Sequence, residues 1–138
     1  MTTEASAPPL ATRLAILVWG ADPEAPQRCA TPFYFAATAA AFDAEVEMYF
    51  TARAVELLRA GVAETLRAAE GDANAAGKTV AHFLREAAAL GVKMFACPTA
   101  MAAQGLPAAE LRREVTGQAG AAAYIGRTLD PAWRTLTF

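Results

Sequence analysis

The stretch FACPTAMAAQGLP, Phe95 to Pro107, sets a cysteine where an apolar run ends and a new helix begins. A thiol at such a junction suits one kind of chemistry. Its thiolate is a strong nucleophile, and the residues that follow are of types that stabilise an anion. Pro98 fits the first turn of a helix, and Thr99 offers a capping hydroxyl. Unpaired amides and the positive end of a helix dipole favour negative charge there, and they can bring a cysteine pKa from ~8.5 down to between ~3.5 and ~7.5. Cys97 is the candidate nucleophile. Free cysteine is also a common small apolar filler, so the residues alone leave a packing role open beside the reactive one.

The other chemistry-bearing residues carry less. Cys29 follows the loop after the first strand and emerges at the same sheet edge as Cys97. It can pair with Cys97 in a disulfide, and it equally fits a helix-start cysteine packed against apolar neighbours. His82 is the single histidine; with two distant cysteines it makes no zinc spacing, and it reads as a surface or partly packed residue. Glu45 and Glu47 alternate with apolar residues, which predicts an edge strand with one wet face. The glycines of TGQAG are explained by turn geometry and match no phosphate-loop pattern. Phe33, Tyr34, Phe35 and Trp133 read as packing or subunit-contact residues.

The elements that must position Cys97 follow from periodicity. RLAILVW from Arg13 is a nearly continuous apolar run, as in a strand buried on both faces. GADPEAPQ is a loop, and Cys29 to Phe42 is a helix with Pro32 in its first turn. EVEMYFT, Glu45 to Thr51, is a second strand. ARAVELL and GVAETLRAA read as two short helices, and Glu70 to Lys78 as a polar hinge. Thr79 to Leu90 has helical spacing stopped by Gly91, and VKMFAC makes Cys97 the last residue of strand three. Helical turns at TAMAAQG and AAELRREV, a glycine-marked loop, the helix AAAYIGRTL and a closing edge strand, WRTLTF, complete the chain. Alternating strands and helices imply parallel pairing through crossovers. The expected fold is α/β, a three-layer α/β/α arrangement with a mostly parallel sheet of about five strands. Chemistry in such sheets gathers outside the carboxyl ends of the strands, where Cys97 falls.

Composition sets the outer bounds. The 138 residues, 55% of them hydrophobic, suffice for one domain with a real core. Residues 1–11 read as a disordered N-terminal tail without secretory character, and 12–138 as a single α/β domain. A formal net charge of −2 argues against nucleic acid. No apolar run approaches the roughly 20 residues of a membrane span. Two cysteines without an export signal predict a reducing, cytoplasmic setting.

The segment GVKMFACPTAMAAQGLPAAEL resembles the core of the DsrE/DsrF-like family of small sulfur-relay proteins, in which a strand ends in a cysteine and a glycine precedes a second helix. The opening strand, helix and second strand are similar to the family's in order. So are AVELLRAGVAE and the closing GQAGAAAYIGRTLDPAWRTLTF, and the resemblance covers nearly everything after the tail. It implies a sulfurtransferase or sulfur carrier that holds sulfane sulfur as a persulfide, a role that carries over to Cys97 alone; the capping hydroxyl of Thr99 would support the thiolate. No cofactor and no metal are called for. The resemblance further implies homo-oligomers or related hetero-oligomers and TusA-like sulfur carrier proteins as partners. Cys29 then becomes a possible second thiol, as a resolving group or second sulfur stop, although the family pattern does not demand it. A non-enzymatic small-ligand-binding or assembly module, with Cys97 as packing, is the alternative from another class. A thiol redox sensor using Cys29 and Cys97 together is a third.

Overall fold

A computed structural model describes residues 12–68 and 78–138. The expected tail and residues 70–77 of the polar hinge lie outside that range. In chain order the strands are β1 (Arg13–Val18), β2 (Glu45–Phe50), β3 (Lys93–Ala96), β4 (Gly117–Gln118) and β5 (Arg134–Thr137). The helices are α1 (Thr31–Ala41), α2 (Val62–Thr65), α3 (Val80–Ala89), α4 (Pro98–Ala103) and α5 (Ala121–Thr128). The five strands form one sheet in the order β4-β3-β2-β1-β5, every pairing parallel. Helices cover both faces, giving the three-layer α/β/α arrangement expected.

The period of two along each strand sorts side chains between the layers. Ile16 and Val18 of β1, Met48 and Phe50 of β2, and Met94 and Ala96 of β3 face the larger core, which holds α1 and α3. Ala15 and Tyr49 face the opposite way, with Tyr124 of α5 and Trp133, in a much smaller cluster. The phenyl rings of Phe33 and Phe50 stack at 5.5 Å across the larger core. Strand order explains why one face carries most helices. The steps β1 to β2 and β2 to β3 move in one direction, so crossovers of one hand put α1 and α3 on the same face. The return from β4 to β5 runs the other way, and the same hand puts α5 on the other face.

Several expected elements are shorter or elsewhere. The strand read as an edge, β2, is the centre of the sheet. Its Glu47 is only 3% exposed, because Arg127 of α5 and the Tyr49 hydroxyl satisfy the carboxylate. The helix expected over GVAETLRAA stops at Thr65, since the Leu66 carbonyl accepts from the Val80 amide at 2.8 Å and Arg67 bridges Thr79. AAELRREV forms only a single 3₁₀ turn, Ala108–Glu110. There the Arg112 amide donates to the Leu58 carbonyl at 2.9 Å, outside any helix. The Arg112 side chain is buried between Glu64 and Glu114. Part of the glycine-marked loop is β4. Cys29 precedes α1 rather than opening it, at the end of a 3₁₀ turn, Pro26–Arg28.

Candidate functional site

All strands run parallel, but the course of the chain across the sheet reverses after β4. The connection leaving β3 runs through α4 toward the larger core, and the one leaving β4 runs into α5 on the other face. Neighbouring strands whose outgoing connections part in this way open a crevice at their carboxyl ends. Cys97 forms one lip of it and Gly120 the other.

Register places the residues around the thiol. Phe50 of β2 pairs with Ala96 of β3, and Ala96 pairs with Gln118 of β4. The ladder continues for a further step on both sides: the Cys97 amide donates to the Phe50 carbonyl at 2.9 Å, and the Ala119 amide to the Ala96 carbonyl at 3.0 Å. Thr51 and Ala119 are thereby drawn alongside Cys97. Cys97 itself lies one residue beyond the strand it was expected to close. It is the N-cap of α4, with extended backbone, and its carbonyl accepts from the Met101 amide at 2.9 Å. Pro98 occupies the first helical position, as its fixed φ and missing donor favour.

An N-cap side chain faces the amides of the second and third helical residues, here Thr99 and Ala100. The Cys97 sulfur closes no full capping hydrogen bond, yet these groups shape its acidity. Burial pushes the thiol up. The Ala100 amide, the Thr51 hydroxyl and the amide and hydroxyl of Thr99 outweigh that and leave it below its ordinary value. The Thr99 hydroxyl is one of the groups beside the thiol. The Thr51 hydroxyl is another, and was not foreseen; reading adjacent strands to the same edge would have found it. Ala52 next to it takes φ +50, a left-handed conformation costing a residue with a Cβ roughly 1–2 kcal/mol.

Cys97 opens into a pocket of about 240 Å³ between the sheet edge and α5. Leu17, Tyr49, Thr51, Gly120, Tyr124 and Ile125 are among its walls, none of them charged. A Cβ at Gly120 would stand 3.3 Å from the Cys97 sulfur, so the glycine read as a turn residue also gives the thiol clearance. The α5 wall is held from below. Arg127 donates to Glu47 at 2.8 Å and stacks 4.1 Å over the Trp133 ring, while the Tyr124 hydroxyl donates to the Leu136 carbonyl at 3.2 Å. The Tyr49 hydroxyl donates to Glu47 at 2.6 Å; burial and that carboxylate push the phenol up to about 12.

Cys29 is not brought to this pocket. Its side chain is wholly buried in the larger core and donates to the Asp22 carbonyl at 3.2 Å. Burial raises its pKa. Both cysteines are free thiols. His82 lies on α3 and is paired with Glu86 at 3.4 Å, away from the pocket. Among the described residues, no three His, Cys, Asp or Glu side chains gather as metal ligands, and no helix is long and apolar enough to cross a membrane.

A model of the DsrE/DsrF-like family matches residues 13–138. The chain belongs to that family. Membership supports a sulfur-relay role for this DsrE-like chain. Two solved structures are similar to it. The YchN protein from E. coli is 16% identical with a TM-score of 0.69, over 91% of this chain and 99% of that one. The protein of unknown function MTH1491 from Methanobacterium thermoautotrophicum is 17% identical with a TM-score of 0.64, over 91% and 98%. These two bear on the fold alone. No curated protein matches the sequence.

Proposed function

We propose that this DsrE-like chain accepts sulfane sulfur as a persulfide on Cys97 and passes it to a partner thiol. The observation that carries the reading is a thiol drawn toward its thiolate, in the wall of a pocket at the switch point of the sheet. Position and acidity together favour this reading over a packing cysteine. The thiolate attacks the terminal sulfur of a donor persulfide. A bond forms between the Cys97 sulfur and that sulfur as the donor S–S bond breaks, and the donor leaves as a thiolate with the electron pair. The Thr51 and Thr99 hydroxyls and the amides of α4 favour the anion before attack and the persulfide anion after it. Handing the sulfur on is the same exchange in reverse, with a new thiolate as acceptor. No external oxidant or reductant enters.

Under this reading residues 12–138 act as one cytoplasmic domain, and the acceptor or donor is a TusA-like sulfur carrier or another thiol protein. Tyr34, Phe35, Phe42 and Leu136 are all exposed and line one apolar groove, and that patch supports assembly as a homo-oligomer. Cys29, buried and less acidic, takes no part in the exchange.

The test is an intact-mass measurement after incubation with excess polysulfide, with Cys97→Ser and Cys29→Ser alongside. One added sulfur atom should appear on the parent chain and on Cys29→Ser, and be absent from Cys97→Ser. Equal loading of Cys97→Ser would remove the assignment.

A further inference from the structure

The walls of the Cys97 pocket suggest what accompanies the sulfur. Among the described residues, no lysine, arginine or carboxylate lines it. Its two phenols are already committed, Tyr49 to Glu47 and Tyr124 to the Leu136 carbonyl. That leaves the Thr51 hydroxyl in the pocket wall, with Thr99 also beside the thiol, against the apolar surfaces of Leu17, Ile125 and the two tyrosine rings. A charged group entering here would lose its hydration and find no partner of opposite sign, which is costly. An apolar group would displace water from apolar walls, which is favourable. The volume of about 240 Å³ corresponds to roughly eight water-sized atoms at ~30 Å³ each.

We infer that the pocket binds the organic group of a small, uncharged, apolar persulfide or thiol, such as a short alkyl chain, and so selects against charged sulfur donors. The inference rests on the proposed sulfur chemistry of Cys97 and names the class of donor for it. In the productive complex the alkyl group lies along Leu17, Tyr124 and Ile125. The terminal sulfur of R–S–SH meets the Cys97 thiolate, and R–S⁻ leaves as Cys97–S–SH forms. Glutathione persulfide and thiosulfate carry charges that these walls do not match.

Matched methanethiosulfonates test this without depending on persulfide stability. Each transfers R–S to the thiolate and releases methanesulfinate, and mass spectrometry reads the mixed disulfide on Cys97. Rates for butyl, sulfonatoethyl and trimethylammonioethyl reagents are each divided by the rate with N-acetylcysteine amide, which removes intrinsic reactivity. The butyl reagent should keep an advantage of about tenfold or more over both charged reagents. Ile125→Lys sets an ammonium at a half-exposed wall position and should shift the preference toward the sulfonatoethyl reagent. Sulfur loading from butyl persulfide should outpace loading from glutathione persulfide in the same order. Equal normalised rates, or a faster sulfonatoethyl reagent, would overturn the inference while leaving sulfur carriage on Cys97 standing. A butyl preference with no sulfur loading from any persulfide would instead overturn the proposed function and leave the pocket's selectivity supported.

Discussion

Cys29 and Cys97 are the same side chain in two opposed settings. Cys29 is fully buried beside α1, where its single S–H is shared between the carbonyls of Asp22 and Ala25, and the Asp22 backbone contact that favours the thiolate does not offset burial. Cys97 caps α4, and the groups around it are donors, two amides and two hydroxyls, with solvent access through a pocket. Both feel a desolvation that disfavours charge. Only Cys97 has hydrogen-bond donors that reverse it. What separates the more acidic cysteine from the less acidic one in this fold is therefore both its depth and the polarity of its neighbours.

The largest expected effect breaks or upholds that comparison directly. With iodoacetamide near neutral pH, Cys97 should react faster than Cys29 by about two orders of magnitude or more, the factor that a few kcal/mol of opening free energy imposes on the buried thiol. Peptide mapping reads both sites at once, and comparable rates would end the distinction. The Cys97 rate should rise with pH to a midpoint below that of the denatured chain, since the folded thiol is the more acidic. Thiolate-linked stability would correspondingly be present above the unfolded pKa and lost as pH falls through the lower folded one.

Next in size is Arg127→Ala, which leaves Glu47 buried without its cation and frees the helix that walls the pocket. Arg127 is itself 40% exposed, so solvent screening holds the loss to about 1–2 kcal/mol, less than for a fully buried pair. Denaturant midpoints measure it. Labelling of Cys97 should change with it while Cys29 stays protected, because α5 borders only the first.

Cys29→Ala should cost about 1 kcal/mol, for a small cavity and two weak S–H hydrogen bonds, with sulfur loading unchanged. Loss of loading at normal stability would bring Cys29 back into the chemistry. Gly120→Ala should slow every reaction of Cys97 severalfold, since its methyl group would stand 3.3 Å from the sulfur, and leave thermal stability nearly unaltered. The smallest effect is expected of Thr51→Val, which removes one hydroxyl facing the thiol. The Cys97 pKa should rise, so labelling should slow at pH 6 and recover by pH 9. A rate lowered equally at both would mean that Thr51 shapes access instead of acidity.

Much of this arrangement is legible in the residues. The apolar run RLAILVW reads as a strand buried on both faces and VKMFAC as a strand, Pro98 directly after Cys97 marks a helix start, and the alternation of elements implies parallel pairing. Helix ends were less legible. At Leu66 and Arg112 the backbone hydrogen bonds go to partners distant in sequence, Val80 and Leu58, and no local pattern encodes them. Glu47 misled for the same reason. A carboxylate in a strand suggests a wet edge until the arginine that neutralises it, 80 positions later, is brought over the sheet.

The amino-acid sequence by itself determined that Cys97 would lie at the carboxyl edge of a parallel sheet, ahead of a short helix, because strand and helix periodicity are local properties of the chain. Tertiary structure decided which neighbours it meets there. Thr51 comes from the residue after β2, Gly120 from the turn after β4 and the apolar walls from β1, β2 and α5, segments joined only when strand order is set. Strand order depends on which faces bury the most apolar surface together, and that is a property of the whole chain. The pocket setting of one cysteine and the buried setting of the other follow from it.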